Sequence, residues 1–262
     1  MASALKVAVI TGGASGIGLA VAKRLVASKA WHVHLLDLNT AAGTSAISQL
    51  GPSSSFHPTD VSSYASLSAS FTTIFAASHK IDFVFANAGI PESTNFYAPK
   101  TSSTTDVKIL PPPPNTACIA VTLNGAINTC VVANHFFRHS PLEGPRALVI
   151  TASCVSLYAS GFLPIYTASK HGVLGFMRAI AKRYFENDGV RVNALLPGTV
   201  RTAMMGEEVW AKIPEEFYTP VETLVEGEAV GKALETSGFN VYSREQIEFS
   251  DECAAEVMGR SQ

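Results

Sequence analysis

Val7-Ala8-Val9-Ile10-Thr11-Gly12-Gly13-Ala14-Ser15-Gly16-Ile17-Gly18 runs from a short apolar segment into a glycine-rich turn. Beyond the turn, Ile17, Leu19, Ala20, Val21, Ala22, Leu25 and Val26 recur at helical spacing. The segment therefore reads as strand, tight turn, helix. Glycine lets the chain turn sharply and approach a ligand closely, and the N-terminus of the following helix offers free N–H groups and a positive dipole end. Together these suit a pyrophosphate. The spacing is Gly-x-x-x-Gly-x-Gly, and no Gly-Lys-Ser/Thr follows, which argues against a nucleoside triphosphatase. Gly12, Ser15, Gly16, Ile17 and Gly18 are the candidate phosphate-binding residues.

Outward from this turn the same unit repeats. Apolar runs near 33–36, 55–57, 81–85, 147–151 and 190–195 read as strands, separated by helical stripes near 41–50, 67–75, 119–137 and 166–185. A seventh strand is expected near 232–236. Strands alternating with helices, and apolar on both faces, predict an α/β protein. We expect one Rossmann-like, doubly wound parallel sheet of about seven strands with helices on both faces. Nothing reads as an interdomain linker, so residues 1–262 are expected to form one dinucleotide-binding domain. Residues 91–115, with the run Pro111-Pro112-Pro113-Pro114, interrupt the alternation as a loop insertion. Residues 199–231 read as a helix-bearing substrate lid, and 239–262 as an acidic, weakly patterned tail.

Composition agrees with a packed globule. The chain has 262 residues, 47% of them hydrophobic and 15% charged, with a net charge of −2. That excludes a disordered chain and gives no basic surface for nucleic acid. No apolar run reaches the ~20 residues that span a bilayer, and the N-terminus lacks the pattern of a signal peptide. The four cysteines stand apart without Cys-x-x-Cys. Neither a disulfide scaffold nor a metal site is expected, and a cytoplasmic location is.

Asp37 ends the second strand about 20 residues beyond the glycines, where a carboxylate accepts both adenosine ribose hydroxyls and repels a 2′-phosphate. With Leu38-Asn39 next and no cation in the glycine turn, NAD is favoured over NADP. Tyr166-Thr167-Ala168-Ser169-Lys170 opens a helix as Tyr-x-x-x-Lys. Residues four apart share a helical face. Lys170 can thus stand near the Tyr166 hydroxyl or bridge to it through a ribose. A neighbouring cation favours phenolate and makes Tyr166 an acid or base near neutral pH. Ser153, at the end of the fifth strand, can hydrogen-bond the reacting oxygen. Asn124 is a candidate to hold a water that relays protons to Lys170.

These pieces together resemble the short-chain dehydrogenase/reductase family. The matching residues are those from Thr11 to Gly18, then Asp37, Asp60-Val61, Asn87-Ala88-Gly89, Asn124, Ser153, Tyr166, Lys170 and Pro197-Gly198 with Thr199 and Thr202. Residues 166–177 and 189–205 are similar to the NAD-dependent 15-hydroxyprostaglandin dehydrogenase-like branch. The proline-rich loop and tail resemble fungal members, several of which serve secondary metabolism. The resemblance implies a catalytic tetrad of Asn124, Ser153, Tyr166 and Lys170. It implies adenine contacts from Asp60 and Val61, and a cofactor wall from Asn87, Ala88 and Gly89. Pro197, Gly198, Val200 and Thr202 would hold the nicotinamide end. It also implies a homodimer or homotetramer paired through the helices around Asn124 and Tyr166. The chain departs from the family in a short 207–231 segment. It also has Thr236-Ser237-Gly238 where an aspartate and paired glycines often stand.

The expected activity is therefore NAD-dependent interconversion of a secondary alcohol and a ketone on a small apolar molecule, such as a secondary-metabolite intermediate. Val155, Tyr158, Phe162, Met204 and Trp210 are candidate pocket residues. Two other readings compete: a nucleotide-sugar epimerase or dehydratase, which shares Tyr-x-x-x-Lys but has a further substrate domain, and a non-catalytic dinucleotide-binding protein, which has no need of Ser153, Tyr166 and Lys170 together.

Overall fold

In β1 (Lys6–Thr11) the side chains divide by parity, Val7 and Val9 into one apolar cluster, Ala8 and Ile10 into another. A strand that buries both faces needs helices on both. This computed structural model of the protein describes residues 5–97, 110, 112–141, 144–202, 208, 211, 218, 219, 233–237 and 240–244. α1 (Gly16–Ala27) and α2 (Thr40–Leu50) cover the Ala8/Ile10 face. α3 (Tyr64–Ser78), α4 (Gly125–His139) and α5 (Pro164–Asp188) cover the other, with Phe71 and Phe137 fully buried there. Burying such a phenyl group stabilises the fold by roughly 2–3 kcal/mol.

The remaining strands are β2 (Trp31–Asp37), β3 (Ser54–Pro58), β4 (Phe83–Ala86), β5 (Arg146–Thr151), β6 (Val190–Pro197), β7 (Ala233–Ser237) and β8 (Asn240–Arg244). They form one sheet in the order β3-β2-β1-β4-β5-β6-β7-β8. β1 to β7 pair in parallel and β8 joins β7 antiparallel. The order reverses between β1 and β4, so their carboxyl ends open the crevice where such sheets bind ligands.

Two expectations change. The sheet has eight strands, not seven, because residues 240–244 of the supposed tail form β8. That edge strand is largely exposed, so its sequence carries no buried alternation; its backbone pairing with β7 makes it a strand. The helix expected from residue 119 begins with a π-helical stretch, Ile119–Asn124, before α4. Most of the 199–231 lid, the middle of the 91–115 insertion, and the tail beyond 244 lie outside the described residues. Of the lid, Tyr218 pairs in parallel with Thr199, and the Thr219 N–H donates to the Thr199 carbonyl at 2.7 Å.

Candidate active site

The glycine turn is held by close packing. Gly12 has φ +63°, and a Cβ there would stand 2.9 Å from the Ala88 Cα. A Cβ on Gly18 would meet the Gly12 carbonyl oxygen at 2.2 Å. Gly18 thus seats α1 against the turn. Ser15, at the N-cap of α1, makes no side-chain cap, and the first turn carries no acidic residue. The helix N-terminus is left for an anion. Asp37 is fixed beside it: the Ala14 N–H donates to its Oδ2 at 3.1 Å and the Asn39 N–H to its Oδ1 at 3.0 Å.

A cleft of about 970 Å³ runs along the carboxyl ends of the strands. Gly12, Ser15, Gly16, Ile17, Asp37, Asp60 and Val61 line one end. Asn87, Ala88, Gly89, Ser153, Tyr166 and Lys170 line the middle, with Pro197, Gly198, Val200 and Thr202 beyond. The cleft brings together an uncapped helix end, the Asp37 carboxylate and apolar walls. Asp60 also caps its own turn, its Oδ1 accepting from the Ser62 N–H and hydroxyl.

Asn87 ties three strands together. Its Nδ2 donates to the carbonyls of Thr11 (3.3 Å) and Gly12 (3.2 Å), and its Oδ1 accepts from the Thr151 hydroxyl at 3.0 Å. The Thr151 carbonyl in turn accepts from Lys170 Nζ at 2.7 Å. Lys170 is buried, and its ammonium stands 5.6 Å from the centre of the Tyr166 ring. Burial in an apolar surround lowers its pKa to about 8. Burial also pushes the Tyr166 phenol above its ordinary range, Cys118 adds to this, and a hydrogen bond with Ser153 opposes it. The net direction is upward, where the Tyr-x-x-x-Lys spacing predicts a lowered value. Burial is the largest cause, and the Lys170 ammonium is directed at the Thr151 carbonyl.

Ser153 caps a single 3₁₀ turn. Its Oγ accepts from the Val155 N–H at 3.3 Å, and its own N–H donates to Ser156 Oγ at 3.2 Å. The Ser156 hydroxyl donates to the Lys170 carbonyl at 2.8 Å, linking this turn to α5. Ser156 is a support that the sequence did not reveal; a serine three residues from another is too common to signal it.

Asn124 is not brought to this centre. It is exposed, on the far side of the π-helical stretch, while Val121 lines the cleft. Thr122, 1% exposed, faces the same way: its Oγ1 accepts from the Ile90 N–H at 3.0 Å and donates to the Ile90 carbonyl at 3.1 Å. Within the π-helical stretch it is thus Thr122, two residues earlier, that is turned toward the Ile90 backbone. Among the candidate pocket residues, Val155 lines the cleft. Tyr158 and Phe162 are exposed, Phe162 by 91%, and Tyr158 instead donates to Glu235 Oε2 at 3.5 Å. Both lie in the stretch between the 3₁₀ turn and α5, where the described residues leave their rings facing outward. Met204 and Trp210 lie outside the described residues. Cys154, Ser160 and Leu163 take their place on the wall.

The family model described as short chain dehydrogenase matches residues 6–212. The chain is 40% identical to the short-chain dehydrogenase/reductase prx7 of Penicillium rubens, over 92% of this chain and 95% of that protein. It is 34% identical to the bovine (Bos taurus) 3-hydroxyacyl-CoA dehydrogenase type-2, over 76% of this chain and 75% of that one. Among solved structures it resembles levodione reductase, with 29% identity and a TM-score of 0.63 over 80% of this chain and 78% of that one. The chain belongs to the short-chain dehydrogenase/reductase family. It is thus a member of an oxidoreductase family that binds a nicotinamide dinucleotide, with fungal relatives.

Proposed function

We propose that the protein is an NAD-dependent dehydrogenase/reductase that interconverts a secondary alcohol and a ketone on a small apolar molecule, in the class of secondary-metabolite intermediates. The observation that carries this is the convergence of Ser153 and Lys170 on Tyr166 in one cleft with an anion-ready helix end. A nicotinamide cofactor, when bound, would supply the hydride acceptor or donor. Tyr166 takes the alcohol's proton in one direction and returns it in the other. Ser153, held by its 3₁₀ turn, donates to the reacting oxygen. Lys170, with its pKa near 8, exchanges protons near neutral pH. Asn124 has no part in this scheme, since it stands outside the cleft.

The Asp37 carboxylate supports NAD over NADP, since each oxygen accepts one backbone N–H and keeps a lone pair for a ribose hydroxyl. The apolar wall of Ile90, Pro91, Val121, Val155 and Leu163 supports an apolar substrate. Exposed Val131 on α4 and Phe185 on α5 support a homodimer or homotetramer. Among the described residues no helix is long and apolar enough to cross a membrane. With the composition, this supports a cytoplasmic enzyme.

The test is a panel of hydrophobic secondary alcohols with NAD⁺ and NADP⁺, read at the nicotinamide absorbance. NAD⁺ is expected to be preferred, and a clear NADP⁺ preference would overturn the role given to Asp37. Tyr166→Phe should lower kcat by roughly 10²–10⁴-fold, the range for a lost general acid–base, with NADH affinity nearly unchanged. Normal turnover by that variant would end the Tyr166 mechanism.

A further inference from the structure

α5 starts without a cap of its own. Leu163 occupies the N-cap and offers no side-chain acceptor, and Pro164 fills the first helical position. The next two N–H groups, of Ile165 and Tyr166, still need partners. Both donate to one atom from a different part of the chain, Glu92 Oε2, at 2.7 and 2.9 Å. One of these donors is the backbone of the residue assigned as acid–base. The second oxygen, Glu92 Oε1, is buried and has no hydrogen-bond partner among the described residues. A buried, unpaired carboxylate oxygen is costly. Departures from full satisfaction concentrate where a residue has a task beyond stability.

Glu92 sits at the root of the 91–115 insertion, and that root is anchored. Thr122 and Cys118 hold the Ile90 carbonyl, each at 3.1 Å. Asn115 Nδ2 donates to Ser93 Oγ at 3.0 Å, closing the two ends of the insertion on each other. The carboxylate therefore reaches α5 from a fixed base. Ser153 and Lys170 are held by other contacts, through Ser156 and Thr151. Removing Glu92 should loosen the turn that carries Tyr166 and leave its two neighbours in place.

We propose that Glu92 is a positioning residue: from the root of the insertion it caps α5 and so sets the Tyr166 hydroxyl against Ser153 and the reacting oxygen. This rests on the acid–base assignment of Tyr166. A misplacement of about 1 Å in such a site costs on the order of 10²-fold in rate, and partial loosening costs less.

Wild type, Glu92→Ala and Glu92→Gln are compared by steady-state kinetics, NADH binding by fluorescence, and amide hydrogen exchange across residues 160–170. In Glu92→Ala, kcat should fall roughly 10-fold. The Ile165 and Tyr166 amides should exchange about 10-fold faster, with NADH affinity within about 2-fold of wild type. Glu92→Gln keeps an acceptor oxygen and should restore both kcat and protection to within about 3-fold. A folded Glu92→Ala with wild-type kcat, or a Gln variant as impaired as Ala, overturns the proposal. Should Glu92→Ala not fold, Glu92→Asp takes its place, its shorter arm withdrawing the acceptor. A lowered kcat with intact NADH binding is then expected, and an unchanged kcat overturns the proposal. A wild type inactive on the whole alcohol panel would instead sink the Tyr166 assignment. The exchange measurement would still decide whether Glu92 holds the helix start.

Discussion

Lys170, to which the proposed mechanism gives a task, also carries a stability penalty. It is 2% exposed, and burial lowers its pKa to about 8 from an ordinary 10.5. Below pH 8 the folded and unfolded chains both hold the proton, and the penalty of burying the charge is fully present. Between pH 8 and 10.5 the unfolded chain still holds the proton while the folded chain has released it. The unfolded state then binds more protons, so stability from this group rises with pH through that window. The difference across it is up to about 3 kcal/mol. Urea denaturation of Lys170→Met should therefore show a variant more stable than wild type at pH 7, with the gap narrowing as pH approaches 10. A gap that does not change with pH would mean that the burial of this charge has been misjudged. The variant should also be inactive.

At the scale of elements, β2 and β3 carry a histidine cluster in which His34 is buried and His32 and His57 are half-buried. His34 Nδ1 and His57 Nε2 share a hydrogen bond at 3.0 Å, and His32 Nε2 meets Ser55 Oγ at 2.9 Å. Burial lowers all three pKa values, that of His34 to about 3 with the neighbouring histidines adding to it. With the folded value below the unfolded one of about 6.5, the unfolded chain takes up protons first as pH falls. Stability from His34 is complete above pH 6.5 and is lost as pH falls from there toward 3, by about 1.4 kcal/mol per pH unit. Replacing His34 by Leu should make the acid slope of the urea midpoint shallower by that amount; an unchanged slope would rule out the cluster as the acid-sensitive element. β3 leads into Asp60 and Val61 on the cleft wall, so acid damage here should weaken cofactor binding early. Elements differed in how legible they were. Strands buried on both faces, such as Val7 to Ile10, announced themselves. β8 did not, because an exposed edge strand is specified by its neighbour's backbone. The π-helical start of α4 did not either, because apolar spacing assumes 3.6 residues per turn.

For the whole molecule, the low charge has two destinations. Part is the doubly covered sheet, with Phe71, Phe85 and Phe137 fully buried. Part stays on the surface of α4 and α5, where Val131 and Phe185 are 46% and 47% exposed. Arg138 and Asn134 on α4 both bond Asp188 at the end of α5, holding the two helices as one face. Light scattering behind size exclusion should give a dimer or tetramer at micromolar concentration, and Val131→Glu should shift it toward monomer with its far-UV spectrum unchanged. A monomeric wild type would return these residues to ordinary surface.

By itself the sequence determined the alternating strand–helix order, the glycine turn with Asp37 about 20 residues on, and the Ser153, Tyr166, Lys170 set. These are local signals: period, turn chemistry, and spacing along one helix. Only the tertiary structure decided which residues meet across distance. It placed Glu92 at the start of α5 and Asn87 across three strands. It tied Ser156 to Lys170. Each of these depends on contacts between segments far apart in the chain, and no local pattern encodes where two such segments come together.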